Sequence, residues 1–242
     1  MDGACRNMQK SLIKQRFTKS LNTYEEYAVV QKDMARKLAD IIKNKTYTNV
    51  LELGCGTGFL TKELKKSIKF QTYDAVDMVK DCKFWIDKLG TDINFICEDI
   101  EEFIPNKEYD LIVSNASLQW VENLPEFINN IHPTKDILFT LFGLENFKEM
   151  ASFIDSPLKY YSINELKKLF SNYKISDINE DIRVLEFNSA IDVLHHIRNT
   201  GVNALSRTSW TKSDLKHFES SYPIDKNKCK LTYHPIYIYL QK

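Results

Sequence analysis

A short apolar run followed by alternating glycines constrains the fold of this chain more than any other stretch. Residues 50–53 read Val-Leu-Glu-Leu, which predicts a buried strand. The glycines then occupy alternate positions: Gly54, Gly56 and Gly58. Leu60 and Leu64 recur at helical spacing behind them. Because glycine permits a positive φ and a helix start offers unpaired N–H donors, this strand–turn–helix unit predicts a site for a nucleotide-like ligand.

The spacing of the glycines separates the kinds of nucleotide site. A dinucleotide site would need Gly-x-Gly-x-x-Gly, but Phe59 stands at the sixth position. A P-loop would need Gly-Lys-Ser or Gly-Lys-Thr, which this stretch lacks. The pattern Glu-x-Gly-x-Gly-x-Gly, which begins at Glu52, instead resembles motif I of the class I S-adenosylmethionine (SAM) methyltransferases. In that class the loop cradles the methionine part of SAM, and the alternative is a tight turn that binds no ligand.

The charge balance argues against nucleic acid as a partner. The chain has 242 residues, with 33 Lys plus Arg and 33 Asp plus Glu, so its formal net charge is zero. It therefore has no global basic field that would attract nucleic acid. The length predicts one α/β domain with an insertion or cap, or at most two small domains.

The cysteine content predicts neither a disulfide framework nor a zinc site. There are five cysteines, an odd number, and no Cys-x-x-Cys pair occurs. We therefore expect a reducing compartment. The amino-terminal residues contain no apolar signal core, and no apolar run approaches membrane-spanning length. These features together predict a cytoplasmic protein without a membrane partner.

Strand and helix signals alternate as far as residue 142, which predicts a parallel sheet. An amphipathic helix is expected over residues 24–44 behind a cap at Asn22-Thr23, and it either covers the sheet or forms a lid over a ligand. Further strands are expected at 71–77, 93–97, 109–115 and 136–142, with helices at 79–89 and 124–131. The later chain predicts helices at 163–170, 190–199 and 210–222, the last capped by Thr211, and strands at 182–187 and 230–240, the last broken near Pro235.

Acidic and amide residues follow the predicted strands, at the edge where open α/β sheets bind ligands. After the second strand, either Asp77 or Asp74 can accept hydrogen bonds from ribose hydroxyls, and Asp77 is preferred because Ala-Val leads into it. After the third strand, Asp99 can accept from the adenine amine, and Ile100 can pair through its backbone or pack on the base. Asn115 closes the fourth strand, and the residues from Asn115 to Trp120 are expected near the sulfonium, where the Trp120 ring is either part of the core or a cation–π partner.

Four other stretches carry a narrower resemblance. Residues 16–31 are similar to the amino-terminal segment of the malonyl-[acyl-carrier-protein] O-methyltransferase family of biotin synthesis, BioC. Residues 114–120 resemble its Ser-Asn-x-x-x-Gln-Trp signature, and residues 197–204 and 231–235 resemble its late segments. The resemblance extends from about residue 12 to the end of the chain.

The resemblance implies the fold and the domain organisation. The expected fold class is α/β: a Rossmann-like class I methyltransferase fold, with a mostly parallel seven-stranded sheet and an antiparallel C-terminal strand. We expect a single domain in which residues 1–45 form an N-terminal helical lid and residues 46–142 form the SAM-binding core. Residues 143–242 would then form a substrate cap and the C-terminal strands.

The resemblance also implies the reaction. It is methyl transfer from SAM to the free carboxylate of a malonyl thioester, carried by acyl carrier protein or by coenzyme A. The ester masks a charge, so that fatty acid elongation enzymes accept the chain as a primer for pimeloyl synthesis. A carboxylate has a pKa of about 4 and is already ionised at pH 7, so we expect no catalytic acid or base. We also expect no metal, because the histidines lack metal-ligand spacing.

The expected site residues form three sets. For SAM they are Tyr24, Gln31, Glu52, Gly54, Gly56, Gly58, Asp77, Met78, Asp99, Ile100 and Asn115. A clamp for the malonyl carboxylate has four candidates: Arg16, Arg198, Tyr233 and His234. An acidic carrier protein would contact a local basic patch, either at Lys226, Lys228 and Lys230 or at Lys32, Arg36 and Lys37.

Three rival functions remain open. One is a methyltransferase on the same scaffold that acts on another small carboxylic acid or on a quinone-type acceptor. Another is an RNA or protein methyltransferase, which would more often show a basic tract or an Asn-Pro-Pro-Tyr-type turn. The third is a partner subunit that binds SAM without turnover. The late segments of the chain favour the malonyl thioester over the first rival. The sequence shows none of the features typical of the second, and the intact glycine-rich loop and acidic series predict SAM binding without deciding whether the third applies.

Overall fold

The computed structural model describes residues 3–154, 158–201 and 210–242. Its helices are α1 Gly3–Tyr27, α2 Val29–Ile41, α3 Phe59–Ser67, α4 Lys83–Asp87, α5 Leu124–Asn129, α6 Ile163–Leu169, α7 Ala190–Asn199 and α8 Lys212–Ser221. Its strands are β1 Asn49–Leu53, β2 Thr72–Val76, β3 Asn94–Ile96, β4 Leu111–Ser114, β5 Asp136–Phe142, β6 Lys174–Glu180, β7 Arg183–Phe187, β8 Ile224–Asp225, β9 Lys228–Tyr233 and β10 Pro235–Gln241. Short 3₁₀ turns lie at Lys80–Cys82, Leu118–Trp120 and Lys148–Met150.

The chain divides into two compact units. The larger unit comprises Val29–Gly143, Tyr160–Asp181 and Pro235–Lys242. The smaller unit comprises Met1–Ala28, Leu144–Lys159 and Ile182–His234. The glycine-rich turn therefore belongs to the larger unit, and the residues proposed to bind the carboxylate belong to the smaller one.

The larger unit is built on a seven-stranded sheet with the order β3-β2-β1-β4-β5-β10-β6. Strands β1 to β5 run parallel, and β10 runs antiparallel to both of its neighbours. The prediction of a mostly parallel sheet with an antiparallel C-terminal strand is confirmed. Because β1 to β5 are parallel, their carboxyl ends meet at one edge, where open sheets of this kind bind ligands.

Helices cover both faces of this sheet. Side chains alternate between the two faces along each strand, so the buried side chains of β1 and β4 contribute to the apolar layers on both faces of the sheet. On one face Val50 and Leu111 pack with residues of α2, α3 and α4, such as Leu38. On the other face Leu51 packs with residues of α5 and α6, such as Ile128. The two apolar layers hold the carboxyl edge of the sheet in a fixed position.

The smaller unit contains a three-stranded antiparallel sheet with the order β7-β9-β8. Helix α1 packs against α7 in this unit. The predicted cap of α8 is confirmed, because the Thr211 hydroxyl accepts from the Asp214 N–H while the Asp214 carboxylate accepts from the Thr211 N–H. Residues 202–204, which belong to one of the late signature segments, lie outside the described residues.

Three predictions about elements were wrong. The helix expected over residues 24–44 is divided at Ala28, and α1 extends back to Gly3, so Asn22-Thr23 lies inside a helix rather than at its cap. Packing against α7 stabilises this polar helix, which shows no clear apolar period of its own. Strand β6 was not predicted because it is an edge strand with few apolar residues. The last strand is two strands, β9 and β10, which belong to different sheets and are separated at His234.

Among the described residues, no helix is both long enough and apolar enough to span a membrane.

Candidate functional site

The glycine-rich turn connects β1 to α3 at the carboxyl edge of the large sheet. Its three glycines have φ values of 72°, 54° and 83°, all in the left-handed region. The N–H groups of Gly54 and Cys55 donate to the Val76 carbonyl at 2.9 and 3.1 Å, which attaches the turn to the end of β2. A Cβ at Gly54 would lie 1.9 Å from the Ser117 Oγ atom, so only glycine lets the segment after β4 approach.

Asp77 joins this turn to the ends of β2 and β3. One carboxylate oxygen accepts from the Gly56 N–H at 2.9 Å, and the other accepts from the Val79 N–H at 2.8 Å. The Asp77 N–H donates to the Ile96 carbonyl at 3.1 Å, and its carbonyl accepts from the Glu98 N–H at 3.2 Å. The carboxylate is therefore held at the carboxyl edge, beside the glycine-rich turn.

Asp74, the alternative to Asp77, lies inside β2 rather than at its carboxyl end. Its carboxylate accepts from Asn94 at 2.8 Å and from the Tyr109 hydroxyl at 2.7 Å, and it pairs with Lys107 at 2.8 Å. Burial alone would raise the pKa of this carboxyl, but the bonds from these partners lower the pKa overall. Asp74 is thus engaged in a buried polar cluster of the protein itself.

The segment after β3 forms a tight turn around Asp99. The Asp99 carboxylate accepts from the Glu101 N–H at 3.0 Å, and the Asp99 carbonyl accepts from the Glu102 and Phe103 N–H groups. Ile100 is half-buried and packs against the core. Met78 is half-buried, next to Asp77. The predicted ribose and adenine residues therefore lie in adjacent segments, because backbone hydrogen bonds join Asp77 to Ile96 and Glu98 at the end of β3.

Asn115 is held by protein partners at both ends of its side chain. Its Nδ2 donates to the Gln31 carbonyl at 3.1 Å, and its Oδ1 accepts from the Thr140 hydroxyl at 2.8 Å. The same Thr140 oxygen accepts from the Ala116 N–H at 2.9 Å. The amide thus connects α2 to the ends of β4 and β5. Ala116 adopts a φ of 50°, which is uncommon for a residue with a Cβ.

Glu52 is also occupied by protein partners. The side chain is 1% exposed, and one oxygen accepts from the Thr61 hydroxyl at 2.5 Å and from the Tyr73 hydroxyl at 2.6 Å. Burial raises the pKa of this carboxyl to about 7, although the two hydroxyls act in the opposite direction. Glu52 therefore links β1, β2 and α3 beneath the glycine-rich turn.

Three buried oxygens near this edge have no hydrogen-bond partner among the described residues: Gln31 Oε1, Thr57 Oγ1 and Gln119 Oε1. Gln31 is 3% exposed and Thr57 is 5% exposed. Buried polar atoms in native proteins are nearly always paired, so an unpaired group calls for a ligand or water. Acceptors of this kind fit a ligand with a cationic centre and N–H or O–H donors. Sequence reasoning did not name Thr57 as a site residue, and it placed Gln119 near the sulfonium only as part of the segment from Asn115 to Trp120.

The smaller unit contains the remaining candidates. The Tyr233 hydroxyl is 2.8 Å from His196 Nε2, and the Tyr233 ring meets Phe147 edge-on with the centroids 4.8 Å apart. Burial lowers the pKa of His196 to about 4, so this ring is neutral at pH 7. His234 Nδ1 accepts from the Glu145 N–H at 3.1 Å, which places the proton of a neutral His234 ring on Nε2.

The two candidate arginines lie on helices that pack together. Arg198 is exposed on α7, and Arg16 is half-buried on α1, where burial lowers the pKa of its guanidinium. Tyr24 lies on the same helix as Arg16, and its ring meets Phe17 edge-on at 5.1 Å. The residues proposed to bind the carboxylate thus come from α1, α7 and the end of β9.

No cluster of three or more His, Cys, Asp or Glu side chains suited to a metal ion occurs in the described part of the chain.

Comparisons with known proteins identify the class. A family profile described as "Methyltransferase domain" matches residues 27–174. The fold is shared with the YcgJ protein from Bacillus subtilis, with a TM-score of 0.63 and 13% identity, over 87% of this chain and 98% of that one. It is also shared with the plantazolicin methyltransferase BpumL in complex with S-adenosylhomocysteine, with a TM-score of 0.51 and 14% identity, over 98% of this chain and 99% of that one. The chain is a class I, SAM-dependent methyltransferase.

Curated relatives narrow the assignment. A malonyl-[acyl-carrier protein] O-methyltransferase from Chlorobium luteolum is 34% identical over 96% of this chain and 95% of its own length. One from Calditerrivibrio nitroreducens is 35% identical over 95% of this chain and 96% of its own length. The chain therefore belongs to the malonyl-[acyl-carrier protein] O-methyltransferase family.

Proposed function

We propose that this enzyme transfers the methyl group of SAM to the free carboxylate of a malonyl group that is held as a thioester on acyl carrier protein. The observation that carries the proposal is family membership over nearly the whole chain, which includes the smaller unit as well as the SAM-type core. The product would be the methyl ester that primes pimeloyl synthesis for biotin. Such a reaction would take place in the cytoplasm, without a nucleic acid or membrane partner.

The donor site would be formed at the carboxyl edge of the large sheet. The glycine-rich turn would hold the methionine part, the Asp77 carboxylate would accept from the ribose hydroxyls, and Asp99 with Ile100 would hold the adenine. Met78 would pack beside the ribose residue. This assignment is supported by the unpaired oxygens at this edge and by the Gly56–Asp77 hydrogen bond at 2.9 Å.

Three further residues would act in different ways. Glu52 and Asn115 would position the turn and the segment after β4, because their side chains are bonded to protein groups. Gln31 would contact the donor directly, since its Oε1 is buried without a partner among the described residues. Tyr24 would contribute from α1, the proposed lid.

The proposed reaction needs no catalytic acid or base. SAM supplies a methyl group on a sulfonium, which is a good leaving group as a thioether. The malonyl carboxylate is the nucleophile and is ionised at pH 7, because its pKa is about 4. An anion and a cation are consumed, and a neutral ester and a neutral thioether are formed. The protein residues would therefore orient the carboxylate and exclude water rather than move a proton.

The carboxylate clamp would come from the smaller unit. Arg16 and Arg198 supply positive charge on two packed helices. His234 carries its neutral-ring proton on Nε2, the tautomer that can donate to a carboxylate. The Tyr233 hydroxyl is bonded to His196, which would fix its orientation.

The carrier contact would use a local basic patch rather than the whole surface. Lys230 pairs with Asp225, and Lys228 donates to Asn188 at 2.6 Å. On α2, Arg36 pairs with Asp33 at 2.5 Å, and Lys37 pairs with Asp181 at 2.6 Å. Basic side chains of both candidate patches are therefore already paired with neighbouring groups of the chain. We propose the patch at 226–230 because it belongs to the same unit as the carboxylate clamp.

Mass spectrometry of malonyl-carrier protein after incubation with the enzyme and SAM tests the function. We expect a gain of one methyl group on the malonyl species and none on acetyl-carrier protein, which has no free carboxylate. Malonyl-coenzyme A in a parallel reaction reports whether the carrier protein is required. Absence of methyl transfer to any malonyl thioester, with SAM binding established, would refute the proposed acceptor.

A further inference from the structure

The turn after β4 presents a single amide oxygen in a fixed direction. Gln119 Nε2 donates to the Ala116 carbonyl at 2.7 Å, whereas Gln119 Oε1 is buried and has no partner among the described residues. A flipped amide would place two oxygens against each other, so the hydrogen bond determines which end faces the carbonyl. The oxygen of Gln119 is therefore the end that remains for a ligand.

Further bonds maintain this direction. Ala116 has a φ of 50°, and its N–H donates to the Thr140 hydroxyl oxygen at 2.9 Å. Thr140 in turn donates to Asn115 Oδ1 at 2.8 Å. The positive φ of a residue with a Cβ costs free energy, and it persists here because groups on both sides hold the turn. The conformation that aims the Gln119 oxygen is thus stabilised by several bonds.

The position of the turn after β4 indicates which part of the bound SAM would lie next to Gln119. Ser117, in the middle of the turn, lies directly against Gly54, where a Cβ would come within 1.9 Å of its hydroxyl oxygen. Gly54 begins the turn that would hold the methionine part of the donor, whereas Asp77 and Asp99 occupy the segments after β2 and β3. The Gln119 oxygen therefore belongs to the methionine and sulfonium end of the site.

The Gln119 oxygen is suited to lie next to the sulfonium and not next to the malonyl carboxylate. An amide oxygen is an acceptor, so it repels the malonyl carboxylate. It attracts a cation, and the carbons bound to a sulfonium are polarised C–H donors. We propose that Gln119 is a specificity residue that distinguishes the cationic sulfonium of SAM from the neutral thioether of S-adenosylhomocysteine. This inference rests on the proposed donor site.

The consequence is selective release of the product. As the methyl–sulfur bond breaks and the methyl–oxygen bond forms, the sulfur takes the bonding electron pair and loses its positive charge. The Gln119 oxygen then faces a neutral sulfur and no longer attracts the ligand. Its effect is therefore a preference for SAM over S-adenosylhomocysteine, which limits inhibition by the product.

Isothermal titration calorimetry with SAM and with S-adenosylhomocysteine, without any methyl acceptor, tests the inference. We expect Gln119→Leu to lower the SAM-to-S-adenosylhomocysteine affinity ratio by about tenfold, because a hydrogen bond to a charged group is lost. Gln119→Glu should raise the ratio by about tenfold through its negative charge. Both variants lose the bond to Ala116, but that loss acts on both ligands and cancels in the ratio.

Two further variants accompany these. Thr140→Val loosens the turn that directs the Gln119 oxygen, so it should lower the affinity ratio in the same direction as Gln119→Leu, by a smaller factor. Gln241→Leu is the matched control for Gln119→Leu, because it makes the same glutamine-to-leucine change at the opposite edge of the sheet. Gln241 Nε2 donates to Asp136 at 3.4 Å there, and its loss should change neither affinity. If Gln119→Leu does not fold, Gln119→Met, a side chain of similar length, takes its place. The wild type should bind sinefungin, whose ammonium lies near the sulfonium position, more tightly than S-adenosylhomocysteine, and the Gln119 variant should lose most of this preference.

An unchanged ratio in both Gln119 variants would overturn the inference, as would equal affinity of the wild type for sinefungin and S-adenosylhomocysteine. The outcome is independent of the acceptor proposed above, because the titrations contain no malonyl thioester. Loss of the proposed acceptor would leave the affinity ratio as it is.

Discussion

Glu52 makes the stability of the protein depend on pH in a direction opposite to that of most carboxylates. Its side chain is 1% exposed inside β1, and burial raises its pKa to about 7 from the ordinary value of 4.5. The unfolded chain therefore loses this proton near pH 4.5, whereas the folded chain keeps it until about pH 7. Because the folded state binds more protons in this window, the free energy of unfolding falls as the pH rises from 4.5 to 7.

The magnitude follows from the difference between the two pKa values. That difference corresponds to about 3 kcal/mol, and about 2.5 kcal/mol of it falls between pH 5 and pH 8. Glu52→Gln resembles the protonated side chain and removes this dependence. We therefore expect the free energy of unfolding of the variant, relative to the wild type, to increase by about 2.5 kcal/mol from pH 5 to pH 8.

Urea unfolding of the wild type and Glu52→Gln at several pH values measures this difference. Comparison of the two proteins cancels the titration of all other groups. Glu108→Gln makes the same change at an exposed glutamate of the same unit and serves as the control for the substitution itself. Parallel curves for Glu52→Gln and the wild type would refute the reasoning, since they would mean that Glu52 titrates alike in the folded and unfolded chains.

Four other substitutions test separate parts of the structure. Asp77→Asn should weaken SAM binding by about tenfold in calorimetry, whereas Asp74→Asn should lower the melting temperature and leave the affinity nearly unchanged; the reverse pattern would favour Asp74 as the ribose residue. Gly201→Ala should destabilise the smaller unit by about 1–3 kcal/mol, seen as faster proteolysis, because Gly201 has a φ of 69° and its Cβ would lie 2.5 Å from the Ser20 hydroxyl. His196→Gln should gain stability relative to the wild type as the pH falls from 6.5 through 4, since burial lowers the pKa of His196 to about 4 and the unfolded chain therefore binds more protons in this range. Comparison of the two proteins cancels the opposite effect of Glu52, and parallel pH curves would contradict the prediction.

The core strands, and the position of Asp77 directly after the second of them, were predictable because local patterns encode them. Asp77 was preferred over Asp74 because an apolar pair leads into it, and the structure places it one residue after β2. Periodicity could not reveal that Asp74 accepts from Tyr109, 35 residues away in the chain. That contact depends on the order and register of the strands.

Positioning residues were harder to distinguish from contact residues. Glu52 and Asn115 belong to recognisable motifs, but their side chains are bonded to Tyr73 and Thr140, which no motif connects with them. Thr57 and Gln119 lie within the same motifs, yet only the missing partners of their oxygens draw attention to them. The signal that could have found them is position within the motif, which does not say where a side chain points.

The sequence by itself determined the strand–turn–helix unit at Gly54, the parallel direction of the core strands and the family resemblance, because spacing, glycine and apolar period act over a few residues. Only the tertiary structure decided that Tyr233 meets His196 and that Thr23 on α1 donates to the Asn199 carbonyl at 3.0 Å, 176 residues later. It also separated β9 from β10 into two sheets at His234. The physical reason is that such contacts depend on strand register and helix packing, which the whole chain establishes together.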